Sequence, residues 1–287
     1  MKKIVFALLS TSLLSGLSHA QTRTEIASDK ASNYTATTWT DGSNNGTGFM
    51  DWSFGGYQSA DDIVSIADST AGSAGDINSP GSGGGAFRIA TNKVTDDGNN
   101  ATSSVETIRS FNRSLRAGDI FSFDMTFKHR NGHKGFDLRN AGTTVFNFNV
   151  GDDSSGNDSY TFGKPGSATN LSTLAGDQAW EYKATAVYHL EFEFITASRM
   201  RAKIQRTSGG VTESYEISNV ALSDADSNPV SANNFKFYVS GTDDDEPENS
   251  LYFNNLKLTE VPEPSEYALI AGAIALLLVG VRRRCKS

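Results

Sequence analysis

Between residues 21 and 260 the chain alternates apolar and polar side chains at period two, stretch after stretch. In the run 119–128, Phe121, Phe123, Met125 and Phe127 fall on one side and Ser122, Asp124, Thr126 and Lys128 on the other. In the run 187–196, Tyr188, Leu190, Phe192 and Phe194 oppose His189, Glu191 and Glu193, and the run 199–207 sets Met200, Ala202 and Ile204 together. No window in this region sustains apolar residues at i, i+3, i+4 and i+7 over three turns, so helices are excluded as its main element. One-sided alternation puts one face in a core and one in water, the signature of antiparallel sheet. Further strands are expected over 86–91, 104–111, 135–139, 144–150, 211–218, 235–240 and 250–259. In the last of these Leu251 and Phe253 share one parity and Leu256 and Leu258 the other, so a β-bulge at Asn254-Asn255 is needed to bring all four to one face. Loops rich in Gly, Asn, Asp and Ser separate these runs. The expected fold is all-β, an antiparallel two-sheet sandwich, jelly-roll-like, in one domain over 21–260.

The two ends have another character. Lys2-Lys3, a short apolar run and Ser18-His19-Ala20 make residues 1–20 a secretory signal peptide. Residues 261–287 read Val261-Pro262-Glu263-Pro264, an apolar stretch over 267–281, then Arg282-Arg283-Arg284. About fifteen apolar residues reach roughly 22 Å as a helix, a short transmembrane span, and the arginines hold its far end on the cytoplasmic side. With both ends removed the middle has a net charge of −12. Nucleic acid is therefore not an expected partner, because a phosphate binder needs a basic surface. The one cysteine, Cys285, lies in the tail, which excludes a disulfide framework, a Cys-ligated zinc and a Cys nucleophile from the middle.

The order of the tail, a VPEP-type motif, a short transmembrane helix and a terminal arginine cluster, resembles the PEP-CTERM sorting signal of Gram-negative bacteria. The resemblance covers 261–287 and implies recognition of Val261, Pro262, Glu263 and Pro264 by an exosortase in the inner membrane, orientation by Arg282, Arg283 and Arg284, and release to the cell surface or exterior. Proteins of this group tend to accompany exopolysaccharide and biofilm formation. The middle is also similar, more loosely, to a jelly-roll type found among such exported proteins.

Candidate functional groups are few. Asn131-Gly132 between two strand-like runs is a strong hairpin signal. A two-residue turn there sets His129 and His133 on opposite faces, against a shared metal. The same hairpin gathers Lys128, Arg130, His133 and Lys134, a basic cluster able to dock an anionic polysaccharide. Trp39, Trp52 and Tyr57 beside several glycines are a candidate sugar-stacking surface, though core packing of a first strand or two is the favoured reading. Asp243, Asp245 and Glu246 in a dense acidic loop are candidate Ca²⁺ ligands. Glu191 and Glu193, two apart on one strand, serve glycoside hydrolysis only if they line a cleft. No nucleophile elbow or phosphate loop occurs. The expected protein is an exported structural or adhesive matrix component, binding exopolysaccharide and not an enzyme. The alternatives are a secreted polysaccharide-degrading enzyme and a coat protein with no ligand.

Overall fold

The computed structural model describes residues 23–56, 62–80, 84–91, 104–129, 132–152, 158–175, 179–240 and 249–261. In chain order the strands are β1 (Thr24–Asp29), β2 (Phe49–Gly55), β3 (Ile63–Ala67), β4 (Ala86–Ala90), β5 (Ser104–Phe111), β6 (Ile120–Phe127), β7 (His133–Asn140), β8 (Thr143–Asp152), β9 (Asp158–Gly163), β10 (Thr169–Asn170), β11 (Val187–Thr196), β12 (Arg199–Ser208), β13 (Val211–Ala221), β14 (Asn234–Ser240) and β15 (Leu251–Glu260). The only helical pieces among the described residues are two single 3₁₀ turns, Ala31–Asn33 and Leu171–Thr173. The sequence expectation of an all-β chain with two antiparallel sheets holds. No helix among the described residues is long and apolar enough to cross a membrane, and the expected span over 267–281 lies outside them.

One sheet runs β13-β12-β11-β6-β15-β4-β3, with β1 also paired to β15; the second runs β10-β9-β8-β7-β14-β5-β2. The inner faces carry the alternating aromatics that the sequence sets on one side of each strand. Across the interior Phe123 meets Phe136 at 4.5 Å between ring centroids, Phe121 meets Phe235 at 4.8 Å, and Phe237 stacks on Phe253 at 3.8 Å. Phe127 and Tyr188 stack side by side on neighbouring strands. Such a core needs no disulfide, since each buried aromatic removes a large apolar area from water. Glu25–Leu258 forms one compact unit.

The expected change of phase in β15 occurs. Asn255 adopts a left-handed φ of 54°, and Leu251, Phe253, Leu256 and Leu258 are all buried. Asn254 is wholly buried and uses its amide fully. Its Oδ1 accepts from Ala31 N at 2.9 Å, and its Nδ2 donates to Ile77 O (2.7 Å), Ser79 Oγ (3.1 Å) and Gly85 O (3.1 Å). One side chain thus fastens the segment before β4 and the turn after β1 to the last strand. Asn254→Ala removes all four of these buried bonds, so a loss of about 2–3 kcal/mol is expected in denaturant unfolding, with unchanged m-value.

The hairpin expected at Asn131-Gly132 is not formed. β6 lies in the first sheet and β7 in the second, so the segment between them is a corner from one layer to the other. Gly132, at φ 68°, supplies the turn that this corner needs. An Asn-Gly pair specifies a sharp local reversal, but the partner strand is chosen by the core: Phe136 and Leu138 pack into the interior from the sheet opposite Phe121 and Phe123.

Candidate functional site

Two of the expected sugar-stacking residues belong to the core. Trp39 and Trp52 are each 1% exposed and pack edge to face on one another, and Trp39 also touches Phe54, Phe87 and Phe253. Gly46 and Gly48 beside them leave no room for a Cβ, which would come within 2.6 Å of Asp29 and 2.1 Å of Ile26 O respectively. Tyr57 lies outside the described residues. The basic cluster is divided as well. His133 is exposed on the outer face of the second sheet, whereas Lys134 shares the parity of Phe136 and is buried without exposure. Lys128 is half-buried at the corner, and Arg130 lies outside the described residues. Alternation within a strand forces neighbours apart, so consecutive basic residues could not stay on one surface once β7 formed. Asp243, Asp245, Glu246, Pro262, Glu263, Pro264, Arg282, Arg283 and Arg284 also lie outside the described residues, and Val261 is half-buried at their edge. Among the described residues no group of three or more His, Cys, Asp or Glu is placed to hold a metal ion.

The outer face of the first sheet holds Glu191 and Glu193. Glu193 is ion-paired with Arg201 and borders a depression of ≈ 380 Å³ lined also by Ile195, Glu216 and Ser218. Glu191 stands one row away, in register with Lys203, and does not line it. The two acids are therefore not brought together in a cleft. On the same face His189 Nδ1 lies 2.7 Å from Asp124 Oδ1, while Asp124 Oδ2 accepts from Asn255 Nδ2 at 2.8 Å. The bond to Asp124 is the largest influence on His189 and raises its pKa above the ordinary imidazole value of 6.5. The stabilisation this pair gives is complete below 6.5 and is lost as pH rises through the higher folded value. Unfolding free energy measured from mildly acidic to alkaline pH should show that decline, and His189→Gln should remove it.

The outer face of the second sheet brings together groups that are far apart in sequence. The strand order β8-β7-β14-β5 sets Asp137 beside Lys236, and Tyr238 between Gly135 and Glu106. Lys236 Nζ lies 2.7 Å from Glu106 Oε1 and 3.3 Å from Asp137 Oδ2, so these two oxygens are at most 6.0 Å apart. Asp137 is 7% exposed and also accepts from Thr144 Oγ1 at 3.0 Å. Burial raises its pKa, and the opposing pull of Lys236, Thr144 and Arg139 does not cancel that effect. Glu106 keeps a side chain 28% exposed. The same cation therefore holds one carboxyl that burial pushes toward its protonated form and a second that water reaches.

Beside this pair Tyr238 crosses β7 to reach β8. Its hydroxyl donates to Asn149 Oδ1 at 2.9 Å, and Asn149 Nδ2 lies 3.3 Å from His133 Nδ1. Burial first, then the charges of Asp137 and Glu106, push the Tyr238 phenol well above its ordinary range, so it remains a donor. The alternation shows Asp137 and Glu106 as outward residues of their strands. Their meeting depends on β14 coming between β7 and β5, which no single strand reveals.

No family model matches this chain, and no curated protein does. Solved structures do match. An alginate lyase from Aplysia kurodai is 14% identical, with 62% of this chain and 84% of that one covered, at a TM-score of 0.39. A variant of alginate lyase Aly36B in complex with an alginate trisaccharide is 13% identical over 83% of this chain and 100% of that one, TM-score 0.45. A β-glucanase catalytic domain from Podospora anserina is 12% identical over 71% and 84%, TM-score 0.42. The expectation that the chain is not an enzyme is corrected on one point: it left out the paired carboxyls that the second sheet carries. At this degree of likeness the matches assign no activity or substrate to it.

Proposed function

We propose that this chain is an exported polysaccharide-degrading enzyme, working from the outer face of the second sheet of a jelly-roll-like sandwich. The observation that carries the reading is the Asp137–Lys236–Glu106 arrangement. Glycoside hydrolysis needs one carboxyl that holds a proton for the leaving oxygen and one that is ionised, and environments that differ in burial are the means of separating them. Asp137 is the buried member with a raised pKa and takes the acid role. Glu106, more open to water, takes the nucleophilic or charge-stabilising role. The two oxygens bound to Lys236 are at most 6.0 Å apart, so both carboxyls can flank one glycosidic bond.

Delivery rests on the ends of the chain. The signal over 1–20 would start export, and the tail over 261–287, similar to a PEP-CTERM signal, would hold the protein in the inner membrane until an exosortase acts at Val261–Pro264. The natural polymer to offer is then the cell's own exopolysaccharide, met at the cell surface or outside.

The test is release of new reducing ends from that polysaccharide by wild type, Asp137→Asn and Glu106→Gln. Cleavage by wild type and its loss in both variants supports the reading. Cleavage unaltered by either substitution, or binding without cleavage by wild type, overturns it. Intact-mass measurement of the released protein tests the sorting: a C-terminus near residue 264 is expected, and a full-length tail contradicts it.

A further inference from the structure

Lys236 stands on β14 in register between Asp137 on β7 and Ile108 on β5, with its side chain 14% exposed. Its Nζ lies 5.0 Å from the centroid of the Tyr238 ring, close enough for the ring face to attract the cation. That ring is itself held. Its hydroxyl donates to Asn149 Oδ1 at 2.9 Å across Gly135, where a Cβ would come within 2.9 Å of the same hydroxyl. From this seat the ammonium donates to Glu106 Oε1 at 2.7 Å and lies 3.3 Å from Asp137 Oδ2. Thr144 Oγ1 donates to that same Asp137 oxygen at 3.0 Å. Asp137 Oδ1 and Glu106 Oε2 have no hydrogen-bond or ion-pair partner among the described residues. Each acid is thus tethered through one oxygen, and its other oxygen is left over.

From this geometry we infer that Lys236 is the positioning residue of the site. It fixes the spacing of the two acids, leaving Asp137 Oδ1 to carry the transferable proton and Glu106 Oε2 to serve the anomeric carbon. The proton passes from Oδ1 to the glycosidic oxygen as the bond from that oxygen to the anomeric carbon breaks. Oε2 takes up the carbon so freed, and water then supplies its hydroxyl and returns a proton to Asp137. The charge of Lys236 acts on Asp137 as well, because it opposes the burial that raises the pKa of this carboxyl. The other charged group acting on Asp137 is Arg139 on the same strand, which donates Nη2 to Gly142 O at 2.7 Å. β8 contributes the neutral Thr144 and Asn149, and His133 Nδ1 stands 3.3 Å beyond Asn149. The inference rests on the proposed polysaccharide-degrading role and adds a residue to its machinery.

The experiment follows the Asp137 carboxyl by carbon-13 NMR of the full-length protein in detergent, titrated from acid to alkaline pH and assigned by its loss in Asp137→Asn. The pH profile of cleavage is measured beside it. Lys236→Met should raise the Asp137 midpoint by about one unit or more, the usual result of removing an opposite charge at this range. The alkaline limb of cleavage should move up with it. Cleavage below that limb should fall by up to roughly 10²-fold, because Glu106 loses its tether. Lys236→Arg keeps the charge and should hold the midpoint near that of wild type, while its planar fork fails to reproduce the spacing and leaves cleavage reduced. Lys236→Gln is a second neutral variant, expected to repeat the rise and available if Lys236→Met does not fold. A midpoint that stays in place in the neutral variants, or cleavage at the wild-type rate in either of them, overturns the inference. A risen midpoint in a protein whose wild type cleaves no polysaccharide supports the placement of the charge and overturns the enzymatic role.

Discussion

Asp29→Ala should cost this fold about 3–5 kcal/mol, because it strips the partner from a fully buried arginine. Asp29 and Arg109 are both without side-chain exposure and form an ion pair between β1 and β5. The carboxylate is saturated: Oδ1 accepts from Lys30 N (2.9 Å) and Asn33 Nδ2 (3.1 Å), and Oδ2 from Tyr34 Oη (2.9 Å), Trp52 Nε1 (3.1 Å) and Arg109 Nη1. The guanidinium is equally engaged. It donates Nε to Met50 O at 2.7 Å and Nη2 to Asn44, and it lies over the rings of Phe49 and Trp52 at 5.1 and 4.9 Å. Burying two charges repays only when every polar atom is satisfied, and here the partners come from the first third of the chain on one side and β5 on the other. Thermal unfolding should show a drop on the order of 10 °C for a unit of this size. The double variant Asp29→Leu with Arg109→Met should recover most of the loss, since it removes both charges together. An additive double-variant loss would contradict the coupling.

Asp137→Asn should lower polysaccharide cleavage by roughly 10²–10⁴-fold, the usual contribution of a positioned proton donor. Stability should move the other way. A carboxyl whose pKa is raised in the fold contributes fully while protonated, and that contribution is lost as pH rises through the raised value. Burial disfavours the charged carboxylate at this position, so the neutral amide should leave the melting temperature unchanged or higher. The pair of results separates function from folding, because a residue kept only for structure would lose stability when replaced. In wild type the alkaline limb should follow the same group, with cleavage falling as Asp137 loses its proton.

Local alternation made much of the scaffold legible. The runs around Phe121, Leu190 and Ile204 became β6, β11 and β12 with the anticipated faces, and the parity break at Asn254-Asn255 was resolved by the left-handed Asn255. Period-two patterning is a property of single strands, and a buried face enforces it. What went unread depends on which strands meet. Asn131-Gly132 pointed to a hairpin, whereas the strands on either side part into different layers. Core packing of Trp39 and Trp52 is the favoured reading of the sequence and holds, but their partners Phe87 and Phe253 come from β4 and β15, which no local pattern names. The strand β1 escaped notice because Glu25, Ser28 and Asp29 give it little apolar signal, and its inward carboxylate is balanced only by Arg109. The acid pair was hidden for the same reason: Glu106 and Asp137 are joined by Lys236, a residue far along the chain.

The anomeric configuration of the first product tests the central claim most directly. Proton NMR of an oligosaccharide digest, followed from the earliest minutes, reports it before mutarotation. A nucleophilic Glu106, whose Lys236-bound oxygen lies at most 6.0 Å from that of Asp137, should give retention of configuration. Inversion would contradict the nucleophilic role of Glu106, and the absence of any cleaved product would contradict the enzymatic role itself.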